Sequence, residues 1–298
     1  MFIQEEKDEL DFMSPLVELV IGILAILVFG LLGTAAAYGY AKWASGGLGL
    51  QEVLSNLGND NTLNNRNIVR YSNLLVHLFT FILASIMIAR VVSKNGWIKY
   101  LKLNRGTSVK FIIASVALIL VSAPLVALTY WINMQIPLPE WATTMESDTD
   151  KILEGLLTMN SPMELFSNLL VIAVIPAIGE ELLFRGIILQ FFEKYLKKEH
   201  FAVLITAFIF SAIHMQFEGF IPRFLLGAIL GYLFIWSRSI WVPIIAHFFF
   251  NGIQVAGKYF TGIEIDDQGK MEPNWILGLA SLTLCVFLVQ YLYKKRVN

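Results

Sequence analysis

The sequence predicts an all-α, polytopic membrane protein with about eight transmembrane helices. Its 298 residues are 56% apolar and only 15% charged, whereas soluble domains are nearer 45–50% apolar and about 25% charged. Apolar runs also recur along the whole chain, and many approach the length of about 20 residues that a bilayer core requires. Together, these observations indicate that lipid surrounds much of the chain.

The candidate spans differ in how purely apolar they are. They lie at roughly 15–40, 71–92, 109–132, 164–192, 201–217, 220–237, 240–257 and 275–293. The first three and the last are plainly apolar, whereas the middle four carry polar residues at depth. The sequence Ser161-Pro162-Met163-Glu164 resembles a helix start, with a capping serine, a proline in the first turn and a glutamate at the third position.

The segment 133–160 is long for a loop, and its leucines have helical spacing beside charged residues. This pattern predicts a short helix on the membrane surface. The distribution of positive charge favours both termini in the cytoplasm, with acidic outer loops at 140–154 and 264–272. In this orientation Arg66, Arg70 and Arg223 are assigned to outer segments. We expect the protein in the inner or plasma membrane.

Three charged residues lie in the middle of an apolar stretch, namely Glu180, Glu181 and Arg185. Each would cost roughly 2.5–3.5 kcal/mol at a helix centre unless it faced a protein interior or a wet cavity. Glu181 and Arg185 are four residues apart and can pair on one helix face. Glu180 is rotated by about 100° from Glu181. One carboxylate is therefore held in a pair, and the other is available as a base.

Two further polar motifs follow in apolar runs. Phe210 precedes His214 by one helical turn, and His247 shares a helix face with Asn251. Taken alone, either histidine could be a packing residue, Asn251 could join two helices, and the charged pair could be a structural ion pair. His77 has no acidic neighbour in the sequence and is interpreted as a packing residue. The order of the three motifs is more informative than any one of them.

The motifs Glu-Glu-x-x-x-Arg, Phe-x-x-x-His and His-x-x-x-Asn, in this order, resemble those of the type II CAAX prenyl endopeptidase family, also called the CAAX protease and bacteriocin-processing (Abi) family. The resemblance covers roughly residues 160–256. It implies an intramembrane endopeptidase with its active site in the bundle interior. In this family, Glu180 would activate water with His214. His247 and Asn251 would stabilise the oxyanion, and Glu181 and Arg185 would support the site, with Phe210 beside them.

The resemblance also implies a domain organisation and a set of partners. Residues 1–160 would form N-terminal transmembrane helices and the surface helix, 161–257 the catalytic core, and 258–298 a C-terminal transmembrane helix. The partners would be membrane lipid and a peptide or protein substrate, either lipidated or membrane-anchored. A net charge of −1 provides no bulk basic field that would indicate nucleic acid as a partner.

Two questions stay open at the level of sequence. The family is often labelled metalloendopeptidase, and Glu180, His214 and His247 could in principle bind zinc. However, the zincin signature His-Glu-x-x-His is missing, so a metal-free mechanism is favoured. The alternative functions are a non-catalytic membrane scaffold or immunity protein of the same fold, and an ion-coupled transporter with a helix broken at Pro176 and Gly179.

Overall fold

A computed structural model describes residues 13–57, 61–262 and 272–297. The described residues form helices, turns and loops, with no strand among them. In chain order the helices are α1 (Pro15–Ala44), α2 (Leu50–Leu57), α3 (Leu63–Val92), α4 (Trp97–Tyr100), α5 (Val109–Val121), α6 (Ala123–Met134), α7 (Glu140–Leu157), α8 (162–196), α9 (Glu199–Ala212), α10 (Phe220–Ser237), α11 (Trp241–Thr261) and α12 (Trp275–Lys294). This confirms the predicted all-α class.

Short polar side chains precede the first residue of several helices. These caps are Ser14, Thr62, Ser108, Ser161 and Asn274. Each accepts a hydrogen bond from the backbone N–H three residues further on, which satisfies a donor that the helix itself leaves unpaired. The predicted helix start at Ser161 is therefore confirmed.

Four helices in the described part of the chain are long and apolar enough to cross a membrane, namely α1, α3, α10 and α12. The bent pair of α5 and α6 makes a fifth if it is counted as one span. The protein is thus an integral membrane protein. An ion pair between Glu18, near the start of α1, and Lys194, near the end of α8, places these two helix ends at the same face of the bundle.

Two predicted boundaries differ from the observed helix ends by about five residues or more. The second span begins at Leu63 rather than 71, because Thr62 caps the helix and the helix buries Arg66 and Arg70. The helix predicted at 201–217 ends at Ala212. Met215, in the loop that follows, has a positive φ of 52°. The acidic residues Asp266 and Asp267 of the predicted loop 264–272 lie outside the described residues.

Arg66 and Arg70, which the charge distribution assigned to an outer segment, are buried, and both pair with Glu164 at the start of α8. Nη2 of Arg66 lies 2.8 Å from Oε2 of Glu164, and Nη2 of Arg70 lies 3.1 Å from the same atom. Arg70 also donates to the carbonyl of Leu156 at the end of α7. This buried network joins α3, α7 and α8.

The predicted helix within 133–160 is present as α7.

The part of α8 just before the glutamate pair packs closely on α3. π-helical turns interrupt α3 at Leu78–Leu83 and α8 at Leu169–Val174 and Phe184–Leu189. Such turns are frequent at functional sites. A Cβ added to Gly179 would lie 2.9 Å from Cβ of Phe81, so only glycine permits this approach of α8 to α3.

Candidate active site

A cavity of about 220 Å³ lies among α7, α8, α10, α11 and the loop that follows α9. Its walls combine acidic, basic, amide and aromatic side chains. The lining residues are Tyr130, Glu146, Asp150, Leu153, Glu180, Phe210, His214, Gln216, Gly219, Arg223, Leu226, His247, Phe250, Asn251 and Gln254. The structure therefore brings together the four predicted catalytic residues and Phe210, which lie on three separate helices and one loop.

Glu180 presents its carboxylate to this cavity from the middle of α8. The side chain is only 6% exposed, and its carboxylate has no hydrogen-bond partner among the residues that the structure describes. A buried carboxylate without a partner is costly, because it loses hydration without gaining compensating hydrogen bonds. Its retention here favours a chemical role over a packing role.

Glu181 lies behind the cavity and holds two other site residues. Its Oε1 atom is 2.6 Å from Nη1 of Arg185 and 2.9 Å from Nδ1 of His247. Glu181 and Arg185 have no exposed surface, and His247 is 3% exposed. The predicted pair of Glu181 and Arg185 is present in the structure, but the sequence did not indicate that the same carboxylate also orients His247.

The guanidinium of Arg185 anchors the pair to neighbouring helices. Nη2 donates to the carbonyl of Gly227 on α10 at 2.8 Å. The guanidinium carbon lies 5.1 Å from the centre of the Phe210 ring, which is a cation–π distance. Phe210 in turn lies edge-on to His214, with 5.1 Å between the ring centres. Phe210 thus connects the ion pair to the second imidazole.

His214 lies in the turn just beyond the end of α9. Its Nδ1 is 2.7 Å from the carbonyl oxygen of Phe210. Because a carbonyl only accepts, Nδ1 carries the proton, and Nε2 of the neutral ring keeps its lone pair. The same reasoning applies to His247, since its Nδ1 donates to a carboxylate. In both rings, Nε2 is the nitrogen left for chemistry in the cavity.

Asn251 lies one turn after His247 on α11 and donates from Nδ2 to the carbonyl of Ile172 at 3.2 Å. Pro176 lies four residues after Ile172 and has no N–H to donate to that carbonyl. The amide of Asn251 therefore supplies this carbonyl with a donor in place of the four-residue helical bond that Pro176 cannot make. This contact gives Asn251 a structural role beside the predicted role in the cavity.

Sequence reasoning did not assign several cavity residues to the site. Arg223 lies near the start of α10 and lines the cavity. Its position inside the apolar run 220–237 was the available signal, since the same rule singled out Glu180. Glu146 and Asp150 on α7 gave no local signal. His77 does not line the cavity and stacks on Phe81, with 4.9 Å between the ring centres.

The arrangement also bears on the predicted zinc alternative. Across residues 13–57, 61–262 and 272–297, no group of three or more His, Cys, Asp or Glu side chains is placed to hold a metal ion. His214 and His247 each use Nδ1 for a contact with a protein oxygen and keep Nε2 free, which by itself is compatible with metal binding through Nε2. However, Glu180, His214 and His247 are not grouped as a three-ligand metal site requires, so the residues as arranged do not fit the predicted zinc site.

Residues 162–253 match the family model described as Rce1-like, the type II CAAX prenyl endopeptidase Rce1-like family. The matched range begins with α8 and ends within α11, and it contains all three motifs. This confirms the family resemblance over that range. No curated protein and no solved structure gives a significant match to the chain.

Proposed function

We propose that this protein is an intramembrane endopeptidase in which Glu180 activates a water molecule. The observation that carries the proposal is that one cavity holds two imidazoles, an amide and a carboxylate without a hydrogen-bond partner among the described residues. Peptide hydrolysis needs an activated water, a proton carrier and stabilisation of charge on the carbonyl oxygen. The cavity holds a residue type suited to each task.

In the first step, water is held between the carboxylate of Glu180 and Nε2 of His214. Glu180 removes one proton while the water oxygen bonds to the carbonyl carbon of the substrate, and the electron pair of the C=O bond moves onto oxygen. When His247 carries a second proton, its Nε2–H can donate to this oxyanion together with the amide of Asn251. Such preorganised donors lower the barrier because they need no reorientation during the reaction.

In the second step, the C=O bond re-forms and the C–N bond breaks. The proton held by Glu180 passes to the departing nitrogen, so that an amine and a carboxylic acid are released. Glu181 and Arg185 keep their charges throughout and hold His247 in place. Their role follows from the 2.6 Å and 2.9 Å contacts at one carboxylate oxygen.

We further propose that the substrate is a membrane-anchored or lipidated peptide. The cavity lies within a bundle of apolar helices, and Leu226 and Phe250 contribute apolar wall beside the polar groups. On the α7 side, Asp150 provides polar wall for a peptide backbone. A substrate held in the membrane by its own anchor would reach this cavity without crossing bulk water.

The test is a cleavage assay with purified, reconstituted wild type, Glu180→Gln and the exposed-carboxylate control Glu154→Gln. Membrane proteins from a host lacking the chain are incubated with each variant, and new peptide termini are identified by mass spectrometry. We expect wild type and Glu154→Gln to produce the same new peptide termini. We expect Glu180→Gln to produce none of them. If wild type and Glu180→Gln yield identical termini, the protein is not a Glu180-dependent protease. A non-catalytic scaffold would give this result.

Two further measurements test the rival assignments. Ion flux in liposomes that depends on Glu180, without any cleavage, would instead identify a transporter. Metal analysis of the active protein, followed by activity after chelation, tests the zinc alternative. The cytoplasmic location of both termini is tested by labelling single cysteines near each end in a Cys285→Ser background, where Cys285 is the one native cysteine.

A further inference from the structure

The loop 213–219 carries His214 and joins α9 to α10. It contains Met215 in a left-handed conformation, with φ at 52°. A non-glycine residue in this region is strained, so surrounding contacts must hold the loop in place. The position of the His214 ring in the cavity depends on those contacts.

Helix α7 supplies the first of them through Glu146. Oε1 of Glu146 accepts hydrogen bonds from two successive backbone N–H groups, those of Phe217 and Glu218, the latter at 3.0 Å. The Glu146 side chain is only 6% exposed. Trp141, on the same helix, lies edge-on to Phe217 with 5.2 Å between the ring centres.

The end of α6 supplies the second contact through Asn133, which is 4% exposed. Its Nδ2 donates to the carbonyl of Phe217 at 2.8 Å, and its Oδ1 accepts from the N–H of Ile221 at 2.7 Å. Two buried polar side chains from outside the matched range 162–253 therefore hold the loop that bears His214.

Packing alone does not account for this arrangement. A buried carboxylate loses hydration. Hydrogen bonds to a charged group are stronger than those to a neutral group, so they offset more of that loss. Both acceptor contacts of Glu146 go to the loop, three and four residues after His214. Glu146 also lines the same cavity as His214. The carboxylate is thus directed at the segment whose geometry the reaction would use.

We propose that Glu146 is a positioning residue for His214, with Asn133 as its second support. The inference rests on the proposed function, in which Nε2 of His214 holds the attacking water. On this view, α7 belongs to the catalytic apparatus. Displacing α7 would remove a wall of the cavity and release the His214 loop in the same movement.

The test compares Glu146→Ala with Glu146→Gln in the full-length, reconstituted protein. Glutamine keeps an oxygen that can accept from both N–H groups, whereas alanine leaves them without an acceptor. A misplacement of about 1 Å can cost about 10²-fold in rate, so we expect kcat for Glu146→Ala to fall by about 10²-fold with KM little changed. Glu146→Gln should retain most of the wild-type kcat.

A second readout does not depend on activity. Hydrogen–deuterium exchange at residues 217 and 218 should accelerate in Glu146→Ala and stay near wild type in Glu146→Gln. Glu154→Ala, which removes an exposed carboxylate from the same helix, is the matched control and should change neither kcat nor exchange.

The outcomes separate this inference from the proposed function. A wild-type kcat for Glu146→Ala, or an equal loss for Glu146→Gln, would overturn the positioning role. If wild type itself cleaves nothing, the proposed function fails. Unchanged exchange in Glu146→Ala would contradict only the positioning role of Glu146. If Glu146→Ala does not fold, Asn133→Asp takes its place, because it keeps the acceptor for Ile221 but loses the donor to Phe217. Asn133→Asp should then show faster hydrogen exchange in the loop and a lower kcat. Wild-type values for both would contradict the proposal that these side chains position His214.

Discussion

The carboxylate of Glu181 orients the ring of His247, since Nδ1 of the imidazole lies 2.9 Å from Oε1 of the glutamate. The same oxygen lies 2.6 Å from Nη1 of Arg185. One fully buried carboxylate therefore neutralises a buried cation and sets which nitrogen of a site histidine faces the cavity. Under the proposed function, stability and activity are therefore coupled at this residue, and suitable variants can separate them.

The first prediction concerns that separation. Glu181→Ala leaves the guanidinium of Arg185 buried without its anion, and breaking a buried pair in this way costs about 3–5 kcal/mol. The double variant Glu181→Met with Arg185→Met removes both charges and should recover much of the lost stability. It should stay inactive, because His247 has lost its acceptor. Denaturant unfolding in detergent and the cleavage assay measure the two effects.

Equal stability losses for the single and double variants would contradict this account of the ion pair. Full activity in the double variant would contradict the role of Glu181 in orienting His247.

The second prediction concerns Glu180. Glu180→Gln removes the proposed general base, and such groups contribute about 10²–10⁴-fold to rate. Stability should not fall, because the carboxylate has no hydrogen-bond partner among the described residues and its charge is unfavourable when buried. Cleavage rate and the unfolding midpoint are measured on the same preparation. A marked fall in stability would indicate that Glu180 is chiefly a structural residue.

The third prediction separates the two roles of Asn251. Asn251→Ala removes a proposed oxyanion donor, and loss of one such donor costs about 10²–10³-fold in kcat. It also removes the bond to Ile172, which should lower stability by about 1 kcal/mol or more. Adding Pro176→Ala supplies an N–H four residues after Ile172, so the double variant should regain stability without regaining activity.

Recovery of cleavage in Asn251→Ala with Pro176→Ala would show that the amide serves the helix and not the reaction. The matched control is Pro176→Ala alone, which should remain active.

The fourth prediction concerns the approach of α8 to α3. A Cβ at position 179 would meet Cβ of Phe81 at 2.9 Å, whereas Gly39 in α1 has nothing within 4 Å of the corresponding point. Gly179→Val should destabilise the protein by about 1–3 kcal/mol through overpacking, and it should lower activity because Glu180 is the next residue. Gly39→Ala should be neutral or slightly stabilising, since alanine favours helix. Unfolding midpoints of the two variants provide the comparison.

The fifth prediction concerns the network at the start of α8. Glu164→Ala would leave Arg66 and Arg70, both buried, without their shared anion, and we expect a loss of about 3–5 kcal/mol. Glu164→Gln keeps one acceptor oxygen and should lose less. A stability change in Glu164→Ala no larger than that of an exposed glutamate such as Glu154 would refute the importance of this network.

Sequence reasoning succeeded where a short segment carries its own physical signal. Apolar runs marked the helices because the cost of exposing them to water is a local property. The four-residue spacing of Glu181 and Arg185 marked their pairing because one helix sets the geometry. The rarity of charge inside apolar runs singled out Glu180, and the order of three motifs indicated the family that residues 162–253 match.

The remaining features depend on contacts between distant parts of the chain. Glu181 reaches His247 across 66 positions, and Glu146 reaches Phe217 across 71. Arg66 resembles an ordinary surface cation until α8 brings Glu164 beside it. Whether a polar side chain is solvated, paired or left free in a cavity depends on which helix packs against it, and that choice is a property of the folded bundle rather than of any one segment.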